Sequence, residues 1–321
     1  MLADQFLMQI NSANFEEIAL QTFERQYKQI PIYNQYVNSL GRSNPKTLSQ
    51  ITFLPIEFFK SHKVLPTNAQ IQSTFLSSGT TQQIRSKHHV SDLSFYEASL
   101  ILGFERIFGS VKDFVFIGLL PSYLQNGDSS LIYMVDCLIK KSGTDLSGYY
   151  LDHKQNVLEV YQKALLSHKK PFVFGVSYAL LDLSQQEINL SEAIILETGG
   201  MKGRRQELSK TVLHQKLQKG LQVPRIYSEY GMTELLSQAY CIDGTLFKCP
   251  PWMQIRLRDA YDPFSEVSIG QKGGINVIDL ANQNSCSFIQ TDDLGRLHSD
   301  GFSLEGRLAA SDIRGCNLLV D

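Results

Sequence analysis

Three short stretches hold residue types that can meet a phosphate chain, a flat base and a metal-bound oxygen. The first is Ser77-Ser78-Gly79-Thr80-Thr81-Gln82, directly after Phe75-Leu76. Hydroxyls and backbone N–H groups around a glycine turn donate hydrogen bonds from several directions, as a polyphosphate requires. The G-x-x-x-x-G-K-[ST] spacing of a Walker loop is absent, and a polar surface loop would have the same composition. The second is Tyr230-Gly231-Met232-Thr233-Glu234, after the apolar stretch 223–227. An aromatic ring stacks on a base, a threonine hydroxyl meets a phosphate oxygen, and a carboxylate holds Mg²⁺. The plainer alternative is a strand end running into a helix with ordinary capping, Thr233 and Glu234 in its first turn. The third, Glu197-Thr198-Gly199-Gly200-Met201-Lys202-Gly203, ends an apolar run, where paired glycines let a flat ligand approach the backbone or simply make a turn.

The elements around these stretches alternate. Residues 14–39 carry Phe15, Ile18, Ala19, Phe23 and Tyr27 at helical spacing, which predicts an amphipathic helix, and Pro55 reads as a second helix start ahead of Phe58 and Phe59. Runs 113–120, 171–178 and 192–200 read as buried strands. Helical periodicity fills 129–143, 157–168 and 204–219, which argues for an α/β domain with a largely parallel sheet. Beyond about residue 240 the pattern becomes short, alternating and punctuated by glycine, which reads as β-rich structure. The expected organisation is one domain over 1–321. It comprises a helical part (1–60), an α/β core (61–240), a β-rich part (241–300) and a tail (301–321).

In this order and spacing, SSGTT, the glycine pair after a strand and YGMTE resemble the adenylate-forming superfamily, which includes acyl-CoA synthetases, adenylation domains of peptide synthetases and luciferase. Thr291-Asp292-Asp293-Leu294-Gly295 looks like that family's T-G-D-x-G element, and Gly306-Arg307 like the G-R that opens its hinge. The resemblance implies the large N-terminal domain of that fold, with ATP and Mg²⁺ as cofactors. It implies that Ser77, Ser78, Gly79, Thr80 and Thr81 cradle the phosphates, and that Gly199 and Gly200 flank the adenine. Tyr230, with Gly231 and Met232, stacks on the base. Thr233 meets the α-phosphate, Glu234 binds Mg²⁺, Asp293 holds the ribose hydroxyls, and Arg307 lies near ribose and phosphate. Ser177 and Tyr178 are candidate walls for the acyl group. The sequence departs from the family at Gln82, Asp292 and Ala309, where a glycine, a glycine and an acid are usual.

The chain stops just after the hinge-like segment, without the small lid domain usual in the family, and carries Cys316 near its end. That combination resembles the acyl-protein synthetases (LuxE type) of bacterial fatty-acid reductase systems. The resemblance implies activation of a fatty acid or other small carboxylic acid to acyl-AMP and capture on Cys316. The acyl group then passes to a partner reductase, with an acyl carrier protein or CoA as alternative acceptors. A thiolate is a competent nucleophile toward a mixed anhydride, and Arg314 nearby would favour it.

Two other classes compete. Gly175-Val176-Ser177-Tyr178-Ala179 resembles the nucleophile elbow of a serine hydrolase of α/β-hydrolase type, with His298 as base and Asp243 or Asp262 as orienting acid. A non-catalytic nucleotide-binding relative would also retain YGMTE. The adjacent His88 and His89 could touch phosphate or carboxylate, though a histidine pair on a strand is commonly structural, and no third metal ligand accompanies them.

Composition narrows the rest. Of 321 residues, 43% are hydrophobic and 19% charged, and a net charge of -2 gives no global bias toward nucleic acid. Five scattered cysteines without a C-x-x-C pair fit reduced thiols in a cytoplasm. The N-terminus lacks a signal-peptide pattern, and no apolar run approaches the roughly 20 residues of a membrane span, so membrane insertion is not expected.

Overall fold

The computed structural model describes residues 2–77, 84–120, 128–150, 154–199 and 208–308. The backbone divides into two compact units, one of Met1–Ser99, Thr233–Ser237 and Lys248–Asp321, the other of Leu100–Met232 and Gln238–Phe247.

The first unit opens with helices α1 (Ala3–Met8), α2 (Phe15–Gln29) and α3 (Pro31–Ser39). The helix expected over 14–39 is therefore two. Pro31 has no N–H to give the preceding turn, so Ile30 turns extended and Pro31 takes the first position of α3. Pro55 is not a helix start. It lies in β1 (Leu54–Pro55), paired in parallel with Ile289 and Gln290, and α4 (Phe58–Ser61) begins three residues later. Strands β2 (Ser73–Leu76) and β3 (Lys87–Val90) form an antiparallel pair in register from Ser73↔Val90 to Leu76↔Lys87.

The chain enters the second unit along α5 (Leu93–Phe108). There follow β4 (Phe114–Leu119), α6 (Ser130–Ser142), β5 (Gly148–Tyr149), α7 (Lys154–Leu166), β6 (Lys170–Val176), α8 (Ser177–Ser184), β7 (Ile194–Thr198), α9 (Lys210–Leu221), β8 (Tyr227–Tyr230), β9 (Ala239–Cys241) and β10 (Phe247–Lys248). Strands β5-β4-β6-β7-β8 run parallel in that order, with β9 antiparallel at β8. A sheet covered on both faces reads as unbroken apolar sequence, and all six residues of β4 are buried. On one face Val115, Ile117, Val173 and Ile195 meet Leu180, Leu213 and Leu217 from α8 and α9. On the other, Phe114, Phe116 and Phe172 cluster with Phe104. Helix α6 is delimited as its sequence dictates, with the Ser129 hydroxyl accepting from Ile132 N–H and Gly143 left-handed at its end. Helices α8 and α9 approach so closely that a Cβ on Gly220 would lie 2.2 Å from the Ser184 carbonyl oxygen.

Back in the first unit, β11 (Met253–Arg258), β12 (Lys272–Asp279), β13 (Phe288–His298) and β14 (Gly301–Arg307) form an antiparallel meander. A register shift between Leu294 and Gly295 sits beside the Asp293↔Arg307 pair.

Candidate active site

In the second unit the polar residues gather where β6, β7 and β8 end. Ligands of open parallel sheets bind at these carboxyl ends, because the loops there leave backbone groups and helix N-termini exposed. Ser177 follows β6 and is buried; its hydroxyl donates to the Glu197 carboxylate and, at 2.7 Å, to the Gly199 carbonyl. Thr198 donates to Glu229 on the neighbouring strand. Gly199 has φ 66°, a left-handed turn that a glycine adopts without strain. Gly231 lies close to a side-chain oxygen. A Cβ there would lie 2.2 Å from Glu229 Oε1, so the carboxylate folds back over the residue after Tyr230. Tyr230 is itself buried and meets the Phe247 ring edge-on at 6.1 Å, while Lys210 Nζ lies 4.2 Å from that ring's centroid.

Electrostatics follow from this crowding. Burial pushes the Glu229 carboxyl up to about 7, with the Glu197 charge adding to the rise and the Thr198 bond opposing it. Glu197 is also raised by burial, opposed by the Ser177 bond and the Lys210 charge. Burial lowers Lys210, and lowers His214 to about 4. In each of these groups burial disfavours the charged form, raising the two carboxyls and lowering the lysine.

The unit boundary falls within the YGMTE motif, and Thr233 and Glu234 belong to the first unit. They form a turn rather than the first turn of a helix. Both its carbonyls are held: His88 Nδ1 donates to Thr233 O at 2.8 Å, and Asn282 Nδ2 to Glu234 O at 2.9 Å. Just beyond, Asp279 accepts from the N–H groups of Leu236 (2.8 Å), Ser237 (3.0 Å) and Ala281 (3.1 Å), and from the Ser237 hydroxyl (2.6 Å). Trp252 Nε1 and Ser99 complete that network at Ser237 Oγ. The Glu234 carboxyl is only 3% exposed and is raised by burial, against a bond from Ser86.

Asp293 and Arg307 face each other across β13 and β14, with Arg307 Nε donating to Asp293 Oδ1 at 2.9 Å. The Asp293 N–H is anchored to Thr291 Oγ1, and beneath it Arg258 donates to the carbonyls of Ile275 and Thr291. Ser77 closes the base of the β2–β3 connection, its Oγ accepting from Ser86 N–H at 2.9 Å. Met232 is half-buried beside Gly231, and Tyr178 is buried in the first turn of α8. Ser78, Gly79, Thr80, Thr81, Gly200 and Cys316 lie outside the described residues, as do Gln82, Ala309 and Arg314.

The elbow reading of Ser177 meets a geometric obstacle. A nucleophile elbow needs a strained residue at the strand-to-helix turn. Ser177 is a regular helical residue, absent from the positive-φ positions, and its hydroxyl is spent on Glu197 and Gly199 rather than on an imidazole. Among the described residues no group of three or more His, Cys, Asp or Glu is placed to hold a metal. A lone buried carboxylate such as Glu234 nevertheless suits Mg²⁺, which takes one or two carboxylates and completes its shell with water and substrate phosphates. No helix among the described residues is long and apolar enough to cross a membrane. Sequence reasoning did not single out Asp279, Asn282 or Glu229, and it left His88 between a contact to phosphate or carboxylate and a structural role. The available signals were an acid within the strand-end motif and a histidine on the strand after the glycine loop.

No family model matches the chain, and no curated protein matches it. Solved structures do. Superposition on 2-hydroxyisobutyryl-CoA ligase, in an open conformation with 2-HIB-AMP and CoA, gives a TM-score of 0.66 at 10% identity over 94% of this chain and 72% of that one. ATP-bound MatB from Rhodopseudomonas palustris gives 0.55 at 18% identity, over 74% and 48% respectively. An ATP-bound RpMatB-BxBclM chimera gives 0.56 at 17%, over 74% and 48%. The chain thus spans about half the length of the MatB structures it matches. At such identities the likeness is one of architecture, and the chain has the mixed α/β adenylate-forming fold seen in these ligases.

Proposed function

We propose that this chain uses ATP to activate a carboxylic acid as its acyl-adenylate. The observation that carries the reading is the match over 94% of the chain to a ligase holding an acyl-AMP and CoA. It coincides with SSGTT, the glycine pair, YGMTE, Asp293 and Arg307 in the family's order. A carboxylate oxygen attacks the α-phosphorus, the bond to the β-phosphate oxygen breaks, and pyrophosphate leaves. Ser77 to Thr81 would cradle the phosphates, Gly199, Gly200 and Tyr230 the adenine, and Asp293 and Arg307 the ribose. Thr233 would donate to the α-phosphate. Glu234 would hold Mg²⁺, which supplies charge neutralisation on the phosphates when bound.

In the second half-reaction a thiolate attacks the acyl carbonyl, and AMP departs with the oxygen it gained. Cys316 is the proposed acceptor, with onward transfer to a reductase, a carrier protein or CoA, and a fatty acid is the first substrate to test. A second reading of the acid has one observation in its favour. Ser177, a proposed wall of the acyl pocket, is bonded to Glu197, and Glu229 lies on the next strand but one. Buried carboxylates there favour an acid carrying hydroxyl or ammonium groups over a long alkyl chain.

Acid-dependent exchange of labelled pyrophosphate into ATP, run across fatty, hydroxylated, aromatic and amino acids, tests the proposal and separates these classes. ATP binding with no exchange for any acid would instead mean a non-catalytic nucleotide binder. Mass spectrometry of the protein after turnover tests Cys316; an acyl adduct that persists in Cys316→Ser rules that residue out.

A further inference from the structure

We propose that His88 is a positioning residue for the Thr233–Glu234 turn, acting as a neutral ring that donates from Nδ1. This rests on the adenylation reading, which gives that turn its chemistry. The turn lies outside helix and strand, so its carbonyls need partners from elsewhere. His88 supplies one from β3, 145 positions away in sequence, and Asn282 supplies the other. Pinning both carbonyls of adjacent residues fixes the peptide plane between them, and with it the directions of the Thr233 and Glu234 side chains.

The tautomer follows from the partner. A carbonyl only accepts, so the proton is on Nδ1 and Nε2 carries a lone pair. His88 is fully buried; Asn282 lies near the ring, yet Nε2 forms no hydrogen bond of regular geometry. A second proton would create a buried cation with only the neutral amide of Asn282 near its new N–H, which the interior disfavours. The ring also stands edge-on to Phe59, 5.6 Å between centroids. Its plane is therefore fixed by packing as well as by the bond to Thr233.

This geometry makes asparagine and glutamine informative replacements. The amide nitrogen of asparagine sits one bond from Cγ, as Nδ1 does, whereas that of glutamine is one bond further along. Both lose the contact with Phe59, so loss of packing does not separate them. The test is acid-dependent pyrophosphate exchange by wild type, H88N, H88Q and H88A, with urea denaturation of each. Alongside it, ¹⁵N NMR of histidine-labelled wild type reads the ring's tautomer.

The expected result for H88Q and H88A is a kcat lowered about 10- to 100-fold with the KM for ATP within about 3-fold, as for misorientation of a bound reactant. H88N returns to within about 5-fold of wild type. The NMR spectrum shows a neutral ring with hydrogen on Nδ1 at pH 7. An active wild type with three equally impaired or equally unimpaired variants overturns this inference alone. A charged ring, or hydrogen on Nε2, also overturns it without any variant. A wild type without exchange for any acid overturns the adenylation reading and this inference together.

Discussion

Replacing Glu229 by glutamine tests the electrostatics of the strand-end cluster through stability alone. The carboxyl is ordinarily near 4.5 and is pushed up to about 7, first by burial and then by the Glu197 charge. The sign follows from proton binding. Between 4.5 and 7 the folded state holds a proton that the unfolded state has released, so stability falls as pH rises through that window. It is highest below 4.5 and reaches its floor above 7. The gap corresponds to about 3 kcal/mol in full, and to about 2–3 kcal/mol between pH 5 and pH 8. Glutamine keeps an acceptor for Thr198 and cannot ionise. The stability of E229Q relative to wild type, from urea unfolding, is therefore expected to improve by that amount from pH 5 to pH 8. A difference that stays constant across this range would refute a buried, proton-binding Glu229.

Three further outcomes follow from named contacts. Gly220→Ala would drive a Cβ to 2.2 Å from the Ser184 carbonyl oxygen, backbone that cannot swing away, and should cost about 2–3 kcal/mol in urea unfolding. Asp279→Asn turns one of two accepting oxygens into a donor, facing either the N–H groups of Leu236 and Ser237 or the Ala281 N–H and the Ser237 hydroxyl; about 3 kcal/mol of destabilisation is expected by the same assay. Asp293→Ala should cost less than about 1 kcal/mol of stability, since its partner Arg307 is 79% exposed, yet raise the KM for ATP roughly 10-fold.

What could be read from the sequence depended on how local its cause was. Strands β4, β6 and β7 were legible because a two-sided core demands continuous apolar runs, and α6 because Ser129 and Gly143 mark its ends. The break at Pro31 has an equally local cause, since proline lacks the N–H that would continue the helix, although helical spacing runs on past it. Pro55 misled, because a proline tolerated at helix starts is equally tolerated where a short strand needs no donor. The candidate site residues are legible as types and spacings, but the partners that hold Thr233 and Glu234 are not. Whether Thr233 and Glu234 start a helix is decided by His88, Asp279 and Asn282, each more than 40 positions away. Nothing in the local sequence of YGMTE announces those partners. Glu229 was closer to hand, since an ionisable side chain entering a buried strand end has to be neutralised or paired.

The central claim concerns where one oxygen atom goes. If the acid's carboxylate attacks the α-phosphorus of ATP, an acid labelled with ¹⁸O in its carboxyl group must pass one labelled oxygen to AMP when the acyl group is transferred. Mass spectrometry of the AMP released by wild type is expected to show a gain of about 2 mass units, with unlabelled pyrophosphate. Label found in inorganic phosphate, or AMP formed without any label, would contradict the account.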